Sequence, residues 1–185
     1  MIYNKGDFNM SEIKVYFSKV KSDGVIPNKD IENAGYDIYA NFTQEYLVIN
    51  PHTTVMIETG IASAFSDEYV MILKERGSTG TKGIAQRCGV IDSGFRNEWK
   101  VPINNTTNNF IIILKFKEDE KEKNEQIESI KLKFGNDVII YPYKKAITQS
   151  LLLPVPKTNI EELPYEDLKK IESKRGMGML GSSGK

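Results

Sequence analysis

The chain has 185 residues, 39% of them hydrophobic and 27% charged, and its 25 basic side chains are balanced by 25 acidic ones. This length suits one well-cored domain and is short for two. A net charge of zero does not supply the positive surface with which proteins hold nucleic acid or anionic membranes. The single cysteine, Cys88, excludes an internal disulfide framework and is expected to pack inside the protein. Because no apolar run reaches the ~18 residues of a membrane-spanning helix, we expect a cytoplasmic protein that binds neither nucleic acid nor membrane.

Strand-like segments dominate the first 155 residues, and turn-forming residues separate them. In chain order, the predicted strands cover residues 13–17, 54–57, 70–73, 99–103, 110–116, 138–141 and 147–155. Many short strands with few helices predict an all-β barrel or sandwich.

Two segments interrupt this pattern. Residues 117–125 mix lysine with glutamate and predict a solvated loop or hairpin tip between two strands. Residues 160–173 are the best helix candidate, on either side of Pro164. We therefore expect one domain over residues 1–174, which includes a charged insert at about 117–137.

The last stretch, residues 175–185, changes abruptly to RGMGMLGSSGK. Glycine and serine in this proportion are typical of a flexible linker. The same residues also suit a mobile phosphate-binding arm, because glycine N–H groups and the hydroxyls of Ser182 and Ser183 donate to oxyanions, and Arg175 matches phosphate oxygens. Composition alone leaves both interpretations open.

Three further stretches depart from a plain β domain, and each has two interpretations. In AGYDIYA, residues 34–40, Asp37 is either a buried carboxylate that needs a cationic partner or a strand residue that faces water. In ERGSTGTKG, residues 75–83, glycines between hydroxyl side chains suit an oxyanion or form a flexible loop. In GVIDSGFRNEW, residues 89–99, Asp92 stands at the tip of a hairpin or is ordinary turn chemistry.

Taken in order, these stretches resemble the motifs of the trimeric-type dUTPase family. AGYDIYA matches the first motif, ERGSTG is a variant of the second, and GVIDSGF matches the third. AITQ, residues 146–149, fits the fourth motif, and RGMGMLGSS, residues 175–183, fits the fifth. Five motifs in the family's order, over nearly the whole chain, are a far more specific signal than any one of them.

The resemblance implies an enzyme that hydrolyses dUTP to dUMP and pyrophosphate, which limits uracil incorporation into DNA and supplies dUMP for dTMP synthesis. It also implies an all-β dUTPase-type barrel or jelly-roll with a short helix and a flexible glycine-rich C-terminal arm. Family members are homotrimers in which three chains build each active site, and Mg²⁺ is held through the substrate triphosphate and waters rather than directly by the protein. Some phage-encoded relatives carry an insert between the third and fourth motifs, where the charged segment lies here.

Position within the motifs implies a role for individual residues. Asp92 matches the general base that activates the water attacking the α-phosphorus, and Asp37 matches a supporting carboxylate with Arg76 as its partner. The implied substrate-binding residues are Arg76, Gly77, Ser78, Gln86, Gly89, Val90, Ile91, Phe95, Gln149, Arg175, Leu180, Gly181 and Ser182.

Three positions depart from the family pattern. Gly77 stands where serine is usual, so either Ser78 or the N–H of Gly77 would take over the phosphate contact. Phe95 replaces the tyrosine that packs under the deoxyribose, and Leu180 replaces the phenylalanine that stacks on uracil. We therefore expect a looser cover over the base.

Two alternatives stay open. A dCTP deaminase has the same fold, but its catalytic glutamate lies on the strand after the hairpin, where this chain has Val101, Pro102, Ile103 and Asn104. A nucleotide-responsive binding module would instead engage a regulatory protein through the charged insert. Ammonia release from dCTP tests the first alternative, and replacement of Asp92 tests the second.

Overall fold

The computed structural model describes residues 13–174 together with Gly176 and Gly178. The chain divides into two compact units, Met1–Val155 and Pro156–Lys185. This division falls earlier in the chain than the boundary expected after residue 174. The expected arm begins at Arg175, outside the described residues, so its separation from the rest of the chain stays a prediction.

Twelve strands lie in the described part of the first unit. They are β1 (Tyr16–Lys19), β2 (Gly35–Ile38), β3 (Tyr46–Ile49), β4 (Thr54–Glu58), β5 (Ile61–Ala64), β6 (Tyr69–Lys74), β7 (Ile84–Gln86), β8 (Val90–Ile91), β9 (Lys100–Asn105), β10 (Ile111–Leu114), β11 (Ile139–Pro142) and β12 (Thr148–Pro154). They form four small sheets with the strand orders β1-β5, β11-β10-β3, β2-β12-β6-β8 and β4-β9-β7. The predicted all-β class is confirmed.

Two helices of a single turn and one longer helix complete the described structure. They are α1 (Gly77–Gly80), α2 (Glu120–Phe134) and α3 (Tyr165–Leu168). The prediction of a solvated loop at residues 117–125 is therefore wrong, because α2 occupies most of the charged insert. Its first turn is capped by Asp119, whose side chain accepts hydrogen bonds from the N–H groups of Lys121 and Glu122 at 3.0 Å.

The apolar spacing within α2 explains why a charged segment folds as a helix. Ile127, Ile130 and Phe134 are three and four residues apart, which places them on one helical face. Ile130 and Phe134 of that face pack on β10 and its neighbours in a small apolar cluster that includes Ile112 and Leu114. All four residues of β10 are fully buried, because the main core covers its other face. β10 and β11 run parallel, and α2 is the crossover between them.

Ile130→Ala is expected to lower the free energy of unfolding by about 2–4 kcal/mol, because it removes a buried side chain from a small cluster. Ile130 is only 4% exposed. Leu132→Ala on the same helix is the matched control, since Leu132 is 88% exposed and its loss should change stability by less than about 0.5 kcal/mol. Urea unfolding of the two variants measures the difference, and equal stability would contradict the packing of α2 on the sheet.

The main core surrounds Trp99, which is fully buried. Its ring meets Phe17 of β1 edge-on, with 5.6 Å between the ring centroids. In β5, Ile61 and Ser63 are buried while the two alanines between and after them are half-buried, which is the alternation of a strand with one face on the core. The first predicted strand, residues 13–17, lies two to three residues too early, since β1 spans Tyr16–Lys19.

In the second unit, the predicted helix over residues 160–173 is largely wrong. Only α3 forms there, a single turn that begins after Pro164. Proline fits the start of a helix but disfavours helical backbone in the residue before it, so the helix does not extend upstream through Pro164. Among the described residues of the whole chain, no helix is both long enough and apolar enough to cross a membrane.

Candidate active site

Three adjacent strands bring the first, second and fourth motifs together. β12 lies between β2 and β6, and Gln149 of β12 is paired with Asp37 of β2 on one side and with Lys74 of β6 on the other. β6 ends at Lys74, so the second motif leaves the sheet beside both residues. Residues as far apart in the sequence as Asp37 and Gln149 therefore lie side by side at one end of this sheet.

Arg76 and Asp37 form a two-point ion pair at this end. The Arg76 Nε lies 3.0 Å from Asp37 Oδ1, and Nη2 donates to Oδ2 at 3.2 Å. A third contact, from Nη1 to the carbonyl of Ala146, is 3.4 Å long. The predicted cationic partner of Asp37 is confirmed. Fork-to-carboxylate geometry fixes the plane of the guanidinium as well as its position.

The backbone that follows Arg76 is held by a buried hydroxyl. Thr79 accepts from the N–H of Arg76 at 3.1 Å and donates to its carbonyl at 3.0 Å, and Thr79 is fully buried. Residues Gly77–Gly80 of the glycine-rich stretch thus form one hydrogen-bonded helical turn, α1. A Cβ added at Gly77 would meet nothing within 4 Å, so crowding does not explain why glycine replaces the family's serine there.

These residues line an open polar cavity of about 680 Å³, here called the polar cavity. Of the predicted site residues, it contains Asp37, Arg76, Gly77, Ser78 and Gln149. Its other lining residues are Asn28, Lys29, Asp30, Asn33, Ala34, Gly35, Tyr39 and Leu151. The Gln149 amide donates to the carbonyl of Glu75 at 2.9 Å, which turns the side chain toward the second motif. A Cβ at Gly35 would lie 2.5 Å from the Gln149 Oε1, so this glycine permits the close approach of the two strands.

The third motif forms β8, the edge strand of the same sheet. Leu73 donates its N–H to the carbonyl of Gly89 at 2.8 Å, and Ile72 is then paired with Val90. Antiparallel pairs alternate between bonded and non-bonded positions, so Val90 falls at a non-bonded one. Its N–H and C=O therefore point away from β6, toward the edge at which no strand of the described residues pairs.

The turn that leads into β8 is unusual in its backbone. Cys88 has a φ of 56° and Gly89 a φ of 142°, and a Cβ on Gly89 would lie 2.9 Å from the Leu73 carbonyl. Gln86 braces this turn, because its amide nitrogen donates to the carbonyls of Arg87 at 2.5 Å and Cys88 at 2.6 Å. Cys88 is exposed, so the prediction that it packs is wrong. The substrate contact expected for Gln86 stays a prediction.

Asp92 follows β8 on a short turn, and its side chain is exposed. The turn is closed by the N–H of Phe95, which donates to the carbonyl of Asp92 at 3.0 Å. The guanidinium of Arg96 supports the same turn. It donates to the carbonyls of Ser93, of Phe95 at 3.2 Å and of Ser63 in β5 at 3.4 Å. Sequence reasoning did not assign this role, although an arginine directly after the third motif was the available signal.

Val90, Ile91, Asp92 and Phe95 line a second cavity of about 340 Å³, here called the hairpin cavity. Its remaining walls are Met56, Leu73, Cys88, Gly89, Asn97, Glu98, Lys100 and Pro102. The polar cavity and the hairpin cavity have no lining residue in common. Among the described residues of the chain, the predicted site residues other than Gln86 therefore fall into two groups, one lining each cavity.

The dUTPase family model matches residues 23–117, which is just over half of the chain. The chain belongs to the dUTPase family. A deoxyuridine 5'-triphosphate nucleotidohydrolase of Leptospira interrogans is 29% identical over 105 residues, which cover 55% of this chain and 72% of that protein. The family and the enzyme class predicted from the five motifs are confirmed.

Solved dUTPase structures share the fold. The dUTPase of Staphylococcus bacteriophage 80alpha with dUPNHPP has a TM-score of 0.65 at 21% identity, over 93% of this chain and 99% of that one. The dUTPase of phage phi11 of S. aureus, in a structure described as visualising a species-specific insert, has a TM-score of 0.58 at 17% identity, over 81% and 96%. At these identities the similarity concerns the fold alone.

A charge cluster borders the hairpin cavity of this dUTPase. Lys21 bonds to the Glu58 carboxylate, and Lys100 donates to the same group at 3.1 Å. The bond from Lys21, followed by the bond from Lys100, lowers the pKa of Glu58, and Glu58 in turn raises the pKa of Lys21. Glu98 accepts from the N–H of Gly60 at 2.8 Å. The bond from Gly60, together with an ion pair of 3.6 Å to Lys21, therefore fixes Glu98, which follows Asp92 on the same segment.

Two further features of the predicted site concern the C-terminal arm and the metal. Arg175, Leu180, Gly181 and Ser182 lie outside the described residues of this dUTPase. Within the described residues, no group of three or more histidine, cysteine, aspartate or glutamate side chains is placed to hold a metal ion.

Proposed function

We propose that this dUTPase hydrolyses dUTP to dUMP and pyrophosphate, with Asp92 activating the water that attacks the α-phosphorus. The observation that carries the proposal is the edge of β8. Val90 presents a main-chain donor and acceptor there, and the exposed carboxylate of Asp92 follows two residues later. A uracil edge offers the complementary N–H and carbonyl groups, and a base with a different pattern would leave the Val90 groups unpaired.

The polar cavity suits the triphosphate. Arg76 offers a guanidinium whose orientation Asp37 fixes, and Ser78 and Gln149 add neutral donors at the same wall. Mg²⁺ enters as part of the substrate, in the Mg–dUTP complex, where it neutralises phosphate charge. The chain's own contribution is to hold the phosphates in line with the water that Asp92 orients.

The separation of the two cavities supports a homotrimer with shared sites. No residue lines both cavities, which is compatible with the shared sites of the family, where the polar cavity of one chain would meet the hairpin cavity of another around each substrate. Residues 175–185 would close over that substrate, with Arg175, Gly181 and Ser182 at the terminal phosphate and Leu180 over the base. In the cell, this activity would limit uracil incorporation into DNA and supply dUMP for dTMP synthesis.

Pyrophosphate release in the presence of Mg²⁺, measured with dUTP, dTTP, dCTP and UTP, tests the proposal. We expect release from dUTP at a rate at least about 100-fold above the others. The base of dCTP would leave polar groups at the edge of β8 unpaired. The bases of dTTP and UTP present the same hydrogen-bonding edge as that of dUTP, so these two would be excluded by the space that the C5 methyl and the ribose 2′-OH need. Ammonia release from dCTP is measured in parallel. β9 (Lys100–Asn105) carries no carboxylate, so no deamination is expected. Comparable release from dTTP, or any ammonia, would contradict the proposal.

A further inference from the structure

Lys29 lies on the wall of the polar cavity, outside all five sequence motifs. Its Nζ donates to the carbonyl of Asn33 at 3.0 Å and lies 5.7 Å from the centre of the Tyr36 ring. We propose that Lys29 is a substrate-binding residue whose ammonium contacts the phosphate chain of dUTP. This inference rests on the proposed function, and it adds a cation that motif comparison does not supply.

The charges of the cavity leave Lys29 available for an anion. Arg76 is paired with Asp37 at two contacts, so it offers directional N–H donors to a phosphate while the pair adds little net positive charge. The exposed carboxylate of Asp30 also lines the cavity, but no ion pair among the described residues joins it or any other group with Lys29. Asn33 meets Lys29 through a neutral carbonyl. An ammonium has three N–H donors, of which this bond uses one. A half-buried cation with donors to spare, facing a polar cavity, is suited to phosphate oxygens.

The backbone places Lys29 beside the ion pair. The carbonyl of Asn28 accepts from the N–H of Asp37 at 3.1 Å, which fastens the segment before Lys29 to β2. The Asn28 side chain then accepts from the N–H of Lys29 at 2.8 Å. A turn from Asp30 to Asn33, bonded at 3.0 Å, brings the Asn33 carbonyl back to the ammonium. Lys29 is thus positioned by the same strand that positions Asp37.

A purely structural role would have Lys29 do no more than close this loop. The two roles differ in what they respond to. A phosphate contact affects only ligands that carry phosphates and is largely kept by arginine, which is also a cation. A loop clamp affects every ligand of the site to a similar extent, because it acts through the shape of the cavity.

Lys29→Met, Lys29→Arg and the control Lys19→Met test the proposal. Lys19 also donates its Nζ to a carbonyl, that of Ser22 at 3.4 Å, but it is exposed on β1 and does not line the polar cavity. The measurements are kcat and KM for dUTP, and competitive inhibition constants for dUpNHpp, with three phosphates, and for deoxyuridine, with none. Thermal unfolding of each variant checks that it is folded.

For Lys29→Met we expect KM for dUTP and the inhibition constant of dUpNHpp to rise about tenfold, as for loss of one charge-assisted bond. The inhibition constant of deoxyuridine should stay the same, Lys29→Arg should recover most of the loss, and Lys19→Met should match the wild type. Equal losses of affinity for both inhibitors, or a Lys29→Met variant that matches Lys19→Met, would overturn the substrate-binding role of Lys29. Either result would leave the proposed function intact. A wild-type chain that releases no pyrophosphate from dUTP would overturn the proposed function and this role with it.

Discussion

Replacing Asp92 with asparagine should abolish dUTP turnover while nucleotide binding survives. Asparagine keeps the size and shape of the side chain but does not accept a proton from the attacking water. Loss of a general base lowers kcat by roughly 10²–10⁴. Because Asp92 is exposed on a turn held by main-chain bonds from Phe95 and by Arg96, the substitution leaves the surrounding packing intact. Pyrophosphate release gives kcat, and calorimetric titration with dUpNHpp gives the affinity.

Asp67→Asn is the matched control for this experiment. Asp67 is also an exposed aspartate in a turn, but it lines neither the polar cavity nor the hairpin cavity. Its replacement should leave both kcat and affinity at the wild-type value. Turnover that persists in Asp92→Asn would refute the proposed mechanism. A wild-type chain that binds dUpNHpp without hydrolysing dUTP would instead favour the nucleotide-responsive binding module.

Replacing Arg76 with glutamine should lower kcat/KM for dUTP by about 100-fold. The change removes a charged donor from the proposed triphosphate site, and loss of one such preorganised donor costs roughly 10²–10³ in rate. It also leaves the carboxylate of Asp37 facing the phosphates without its partner, which adds repulsion. The variant Arg76→Lys keeps the charge but lacks the fork that meets both Asp37 oxygens, so it should recover only part of the loss.

Arg87→Gln controls for loss of an arginine as such. Arg87 donates to the side chain of Asn104 at 3.4 Å on the exposed surface and lines neither cavity. A double variant that combines Arg76→Gln with Asp37→Asn measures the coupling, since the two side chains are in direct contact. We expect the double variant to be more active than the product of the two single effects. Strictly multiplicative effects would show that the ion pair does not organise the site.

Sequence patterns predicted the parts of this protein that depend on the local alternation of apolar and polar residues or on the residues of the family motifs. β4 and β6 matched alternating or apolar runs, and the partnership of Asp37 with Arg76 followed from the motifs although 39 positions separate them. The helix α2 was missed because its charged composition outweighed the spacing of three apolar side chains. The charged composition reflects the solvent-exposed face of such a helix, whereas the spacing of the apolar side chains identifies the face that packs.

Other features could not be predicted because they depend on tertiary contacts. Cys88 is exposed in a turn where it has a positive φ and where Gln86 bonds to its carbonyl, and neither feature is visible in the residue types alone. Lys29 reaches the polar cavity through a bond between Asn28 and Asp37, nine residues apart, that no periodicity signals. The separation of the two cavities is a property of the folded chain.

The parallel pairing of β10 and β11 limits how this protein can be shortened. Each of these strands has four residues and rises about 3.3 Å per residue, so a chain leaving the end of β10 must travel back roughly 13 Å before β11 begins. A two-residue turn does not cover that distance. Deleting the charged insert, residues 117–137, would leave only Lys115, Phe116 and Val138 for the return, which is close to the reach of a fully extended chain (about 3.3–3.6 Å per residue). The parallel pairing of β10 and β11 therefore sets a minimum length for the connection between them.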